Sequence, residues 1–162
     1  MSASPNVLAY LALILWIPAS LALFAFLRPP RAALMTVLGA MLLLPVRVAF
    51  DAPGMPALGK QEIGNLCVLL GILFFARREF SIRGLGRGMD GFILVLIAGA
   101  AATAYTNGDT VAAGPLNLPA LGMWDALSMS MQQFLLFGIP FVAGRILFSR
   151  ARDLSLPLVL VA

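Results

Sequence analysis

The sequence contains no histidine and a single cysteine, Cys67. Histidine is the usual general base near neutral pH and the commonest neutral metal ligand, so serine–histidine and cysteine–histidine catalytic arrangements and histidine metal sites are excluded. One cysteine cannot form a disulfide within the chain. We therefore expect no catalytic residue, no metal site and no cofactor.

Charge is also scarce. Charged residues make up 11% of the 162 residues and hydrophobic residues 61%, whereas an average soluble domain is about 25% charged. A soluble domain of this length would leave about a third of its surface in water, which is too much for so apolar a chain. The composition predicts an all-α integral membrane protein that has the lipid bilayer as its surroundings.

The net charge of +4 raises the question of nucleic acid. The arginines, however, lie in short breaks between apolar runs, without the interleaved aromatic residues typical of nucleic-acid binding. We predict no nucleic-acid partner and assign the basic residues to orientation in the membrane.

Long apolar runs alternate with polar breaks along the chain. Because about 20 apolar residues cross a bilayer, the pattern predicts a single helical domain over residues 1–162, with about five transmembrane helices and the start of a sixth. Its fourth span is rich in small residues, which favours a central, closely packed helix. The predicted spans are residues 7–27, 32–50, 61–76, 91–105, 125–148 and an incomplete 156–162.

The breaks after the first, third and fifth spans hold most of the arginines. Positively charged breaks face the cytoplasm, so the sequence predicts a multi-pass membrane protein whose N-terminus lies on the outer side. The arginines of these breaks are Arg28, Arg31, Arg77, Arg78, Arg83, Arg87, Arg150 and Arg152.

Two cations, Arg47 and Lys60, lie near the predicted outer interface. Charges at such depth are costly unless they are paired or used. They are candidates to bind an anionic group such as a lipid-linked phosphate, and the alternative is pairing with Asp51 or Glu62.

Three further polar residues fall in the predicted fifth span, Asp125, Gln132 and Arg145. Asp125 is expected to cap the helix, and Gln132 lies on the same face seven residues later. Pro140 predicts a kink. Arg145 is either an intramembrane functional cation or a side chain that extends to the cytoplasmic interface.

Three short motifs carry a resemblance to a known family. They are Pro-Gly-x-Pro-x-Leu-x-Lys over Pro53–Lys60, Thr-Asn-Gly over Thr106–Gly108, and Gly-Ile-Pro-Phe-x-x-Gly-Arg over Gly138–Arg145. Together they resemble the N-terminal part of the O-antigen ligase-like and polymerase-like membrane proteins of bacterial polysaccharide assembly.

The resemblance implies a location in the bacterial inner membrane, with the outer side being the periplasm. It also implies a larger membrane glycosyltransferase that moves a glycan from a polyprenyl diphosphate carrier to an acceptor at the periplasmic face. The key arginines and histidine of that family belong to a large outer loop that this sequence lacks, so no catalytic residue is carried over. Arg47 and Lys60 would support the carrier's diphosphate, and the chain would be an inactive N-terminal fragment. The alternatives are a non-catalytic scaffold or assembly subunit with other membrane subunits as partners, and a small transporter.

Overall fold

The computed structural model describes residues 7–51, 55–77, 90–113, 116–118 and 120–148. These residues are helical except for loops and one short antiparallel hairpin, in which Val111 pairs with Leu118 and Ala113 with Leu116. The elements are α1 (Val7–Phe26), α2 (Pro29–Leu43), α3 (Lys60–Phe75), α4 (Asp90–Thr106), β1 (Val111–Ala113), β2 (Leu116–Leu118), α5 (Met123–Gln133), a π-helical turn (Phe134–Gly138) and α6 (Ile139–Leu147). The last three follow one another without a break and form a long helix.

The all-α class is confirmed, but the prediction of about five transmembrane helices and the start of a sixth is wrong. Among the described residues, two helices are long and apolar enough to cross a membrane, Val7–Phe26 and Met123–Leu147. Helices α2, α3 and α4 have 15, 16 and 17 residues. At 1.5 Å per residue they reach about 23 to 26 Å, short of the roughly 30 Å hydrocarbon core.

The predicted second span also ended in the wrong place. It was extended to Phe50, whereas α2 ends at Leu43. Leu44 follows in an extended conformation, with φ −80° and ψ 145°, because the ring of Pro45 disfavours a helical residue before it. The incomplete sixth span, 156–162, lies outside the described residues.

Helix α3 is the centre of the packing. It contacts α1, α2, the π turn and α6. Two glycines of α3 allow close approaches to its neighbours. A Cβ at Gly64 would lie 2.8 Å from the Cβ of Ala40 on α2, and one at Gly71 would lie 2.3 Å from Cδ2 of Phe24 on α1. Small residues at these positions let the helices meet with backbones close together.

The buried side chains fall into two clusters that fix the directions of the helices. One contains Phe24 from the end of α1, Ala32 from the start of α2, Ile72 from the end of α3 and Leu147 from the end of α6. The other contains Leu13, Ala40, Leu44, Ile63 and Cys67. Helices α1, α2 and α3 therefore alternate in direction along the chain, so that α1 and α3 run parallel, and α6 runs in the same direction as α3.

This alternation in direction separates the described cations between two ends of the bundle. Arg28, Arg31, Arg77 and Arg145 belong to the end that contains Phe24 and Leu147. Arg47 and Lys60 belong to the opposite end, beside Leu44 and Ile63.

Helix α4 does not occupy the central position predicted for the fourth span. It packs along α5, and Asp90 and Ala104 are its buried residues. Gly99, at the middle of the small-residue stretch, has nothing within 4 Å of where a Cβ would be. The prediction of a central helix was wrong: α4 lies close along α5, but most of its residues stay exposed or half-buried because that contact covers only one side of it.

Candidate anion-binding cleft

A cleft of about 330 Å³ lies between the chain that leaves α2 and the first turn of α3. It brings together the two cations that the sequence singled out as a pair, Arg47 and Lys60. Its lining residues are Pro45, Arg47, Val48, Ala49, Gly59, Lys60, Gln61 and Glu62.

The two walls of the cleft are joined by a short backbone bridge. The N–H of Phe50 donates to the carbonyl of Leu58 at 3.0 Å, and the N–H of Leu58 donates back to Phe50 at 2.9 Å. The ring of Phe50 also lies against Tyr10 of α1, with 5.2 Å between centroids. The cleft is thereby held against the N-terminal end of α1.

Arg47 has an unusual backbone. Its φ is 66°, in the left-handed region that costs a residue with a side chain about 1–2 kcal/mol. Its side chain is exposed, and it makes no hydrogen bond or ion pair with the part of the chain that the structure describes. Backbone strain of this kind is concentrated at binding and catalytic sites, so this arginine is a candidate for contact with a ligand.

Lys60 has a partner within the protein. Its Nζ donates to the backbone carbonyl of Met41 at 3.2 Å. Met41 is in the last turn of α2, where carbonyls lack helical donors and the helix dipole favours a cation. An ammonium group has three donors, so two remain for a ligand in the cleft.

The described residues do not show the alternative in which Arg47 or Lys60 pairs with an acid. The Oε2 atom of Glu62 accepts from the backbone N–H of Gly59 at 3.0 Å, and so caps the start of α3. Asp51 is exposed and forms no ion pair with any described residue. Neither acid neutralises Arg47 or Lys60 within the described ranges.

The three polar residues of the predicted fifth span lie away from this cleft. Asp125 is the third residue of α5, and its carboxylate accepts from the N–H of Gly122 at 2.7 Å. Gln132 is half-buried in the same helix. Arg145 forms an ion pair with Asp90 at the start of α4, with the Asp90 side chain 8% exposed and that of Arg145 38% exposed.

Sequence reasoning missed Asn65, a buried residue of α3. Its Nδ2 donates to the carbonyl of Leu135 at 3.0 Å, inside the π turn. There the N–H of Ile139 bonds to Phe134, five residues back, and the next residue, Pro140, has no N–H to donate. The side-chain amide of Asn65 therefore supplies a hydrogen-bond donor in place of the backbone N–H that Pro140 lacks.

A signal for this contact was present in the sequence. A proline within a long apolar helix leaves a backbone carbonyl without its hydrogen-bond donor, and in apolar surroundings that carbonyl needs a donor from another helix. The lone amide in the apolar run of α3 is such a donor. Their separation of 70 residues, from Asn65 to Leu135, kept the sequence from pairing them.

No protein-family model, no curated protein and no solved structure matches the chain. Within the described residues, no group of three His, Cys, Asp or Glu side chains could hold a metal ion. The three motifs fall at different places: Lys60 lines the cleft, Asn107 follows the end of α4, and Gly138–Arg145 begins with the last residue of the π turn and includes Pro140.

Proposed function

We propose that the chain is a membrane part of a bacterial polysaccharide ligase or polymerase, in which the Arg47–Lys60 cleft binds the diphosphate of a polyprenyl-linked glycan at the periplasmic side. The observation that carries the proposal is the Arg47 side chain, which is without an ionic partner among the described residues and stands beside a second cation. The substrate class comes from the three-motif resemblance.

The proposed membrane placement uses the two helices of sufficient length. Val7–Phe26 and Met123–Leu147 cross the hydrocarbon core. The shorter helices α2 and α3 lie beside them and connect the same two ends of the bundle. Exposed large apolar side chains on α1 and α4 face lipid, including Leu8, Leu15, Phe92 and Val95. Water is a poor environment for so many exposed apolar groups.

The proposed orientation follows from the two ends of the bundle. The end with Arg28, Arg31, Arg77 and Arg145 faces the cytoplasm, by the positive-inside rule. The cleft then lies at the periplasmic end, level with Tyr10, the fourth residue of α1. Beside apolar surroundings the effective dielectric constant is low, which strengthens the attraction between the cations and phosphate.

The chemistry of the two side chains suits a diphosphate. The planar guanidinium of Arg47 donates two parallel hydrogen bonds to phosphate oxygens, whereas the ammonium of Lys60 acts as a point charge. Glu62 also lines the cleft. Its Oε2 atom accepts a hydrogen bond from the backbone N–H of Gly59, so that oxygen is engaged in capping α3 and not in pairing with Arg47 or Lys60.

The test is direct binding of geranylgeranyl diphosphate to the purified chain in phosphatidylcholine nanodiscs. We expect Arg47→Gln to weaken binding by about tenfold or more, since hydrogen bonds to charged groups contribute about 1.5–3 kcal/mol. Arg31→Gln, at the opposite end, is the matched control and should bind like wild type. Unchanged binding by the Arg47→Gln variant would overturn the proposal.

Two variants of Lys60 are needed to separate its charge from its hydrogen bond to the end of α2. Lys60→Gln removes the charge and keeps a donor for the Met41 carbonyl, whereas Lys60→Met removes both. If the charge holds the ligand, both variants bind weakly and only Lys60→Met loses thermal stability. If the capping bond alone matters, Lys60→Gln binds normally.

A second candidate is a non-catalytic membrane subunit, and α4 favours it. This helix has two buried residues and exposes Phe92, Leu94 and Val95, so a partner subunit could cover it. Purification from native membranes in a mild detergent tests this candidate: a stoichiometric membrane partner that is lost from a Leu94→Gln variant supports it.

A further inference from the structure

One face of α2 carries apolar side chains that lead towards the cleft. Leu38 follows Met35 by three residues, and Met41 and Leu42 follow Leu38 by three and four, which places all four on the same side of a helix. They are between 37% and 82% exposed. We call these four residues the α2 track.

The α2 track is continuous with the cationic cleft at Met41. The Met41 carbonyl accepts the hydrogen bond from Nζ of Lys60 at 3.2 Å, and its Sδ lies 4.0 Å from Nε2 of Gln61. Both Lys60 and Gln61 line the cleft. An apolar surface and a positively charged one therefore meet at a single residue.

We propose that the α2 track binds the isoprenoid chain of the ligand whose diphosphate occupies the cleft. The proposal rests on the proposed function and adds the part of the protein that distinguishes a lipid-linked diphosphate from a free one. A ligand with an anionic head and an apolar tail matches the two adjoining surfaces in charge and in polarity. A free diphosphate contacts the cleft alone.

The placement gives each end of the ligand a separate determinant. Arg47 and Lys60 set affinity for the head through charge and hydrogen bonds, and the track sets affinity for the tail through van der Waals packing. Substitutions in the track should therefore change the preference for prenylated ligands without changing the binding of inorganic diphosphate.

The experiment compares geranylgeranyl diphosphate with inorganic diphosphate in phosphatidylcholine nanodiscs. It uses wild type, Leu38→Gln/Leu42→Gln, and the control Leu94→Gln/Val95→Gln on α4, where both leucine and valine are exposed. The control matters because a prenyl chain partitions into any bilayer. That contribution is the same for every variant.

We expect the track variant to bind geranylgeranyl diphosphate at least about tenfold more weakly than wild type, because each glutamine places an amide without a hydrogen-bond partner against the prenyl chain. Its binding of inorganic diphosphate should be unchanged, and the α4 control should match wild type with both ligands. If the track variant binds the prenylated ligand like wild type, or loses both ligands equally, the tail proposal is overturned.

The same measurements distinguish the tail proposal from the proposal that the cleft binds diphosphate. If inorganic diphosphate binds and Arg47→Gln abolishes that binding, the cleft stands whatever the track variant does. If Arg47→Gln changes the binding of neither ligand, the proposed function fails and the tail proposal fails with it.

Discussion

Helices α3 and α4 have 16 and 17 residues and very different surroundings. Helix α3 begins with Lys60, Gln61 and Glu62 and also contains Asn65, yet it has eight buried residues. Helix α4 has Asp90 as its one charged residue, and two of its residues are buried. The more polar helix is the one at the centre.

The difference indicates what holds helices together in an apolar setting. In the bilayer proposed as the setting of this chain, lipid is as apolar as leucine, so close backbone contact and polar side chains, rather than hydrophobicity, decide which helices associate. Gly64 and Gly71 are seven residues apart on one face of α3 and meet Ala40 and Phe24. On α4, Gly99 meets nothing.

The largest effect is expected from added bulk at the glycines of the two helices. Gly64→Val should lower the free energy of unfolding by about 3 kcal/mol, because the Ala40 Cβ has no rotamer that moves it away. Gly99→Val should stay within about 0.5 kcal/mol of wild type, as an exposed substitution does. Unfolding in mixed micelles measures both, and equal effects at the two glycines would contradict the described packing.

The second test concerns Asn65, the buried amide through which α3 contacts the π turn. Asn65→Leu removes the donor to the Leu135 carbonyl and should cost about 2 kcal/mol, the typical penalty for a buried polar group without a partner. Pro140→Ala restores a backbone N–H next to the π turn and should reduce that cost in the double variant. The two substitutions form a double-mutant cycle, and strict additivity would show that Asn65 does not compensate for Pro140.

The smallest expected effect is at the ion pair that joins α4 to α6. Arg145→Gln should cost about 1 kcal/mol, between the values for exposed and for fully buried pairs, because the side chain of Arg145 is 38% exposed and solvent screens it. Adding Asp90→Asn should recover part of the loss, since the buried carboxylate is then neutral. If the thermal unfolding midpoint is the same as wild type in both variants, the ion pair does not contribute to holding α4 against α6.

Much of the helical arrangement could be predicted from apolar periodicity and polar breaks. The boundary at Leu43 was missed because the apolar run was counted through Pro45, although the proline itself carried the correct signal. The place of α4 was missed because small residues reveal a capacity for close packing, and only the three-dimensional fold shows whether a neighbour uses it.

For the site, Arg47 and Lys60 were found as charges near the ends of apolar runs. Their meeting in one cleft and the left-handed backbone of Arg47 depend on the bridge between Phe50 and Leu58. The contact of Asn65 with Leu135 depends on packing across the bundle. Neither could be derived from local patterns, because both join segments whose relative placement is a property of the tertiary fold.

The most direct test of the account is the side of the membrane from which each end of the bundle is reached. In a Cys67→Ala background, the Arg47→Cys and Arg31→Cys variants are treated in spheroplasts with a membrane-impermeant maleimide. We expect labelling of the Arg47→Cys variant in intact spheroplasts and of the Arg31→Cys variant only after permeabilisation. Labelling of both variants from the same side would contradict a bundle that crosses the membrane with its cationic cleft in the periplasm.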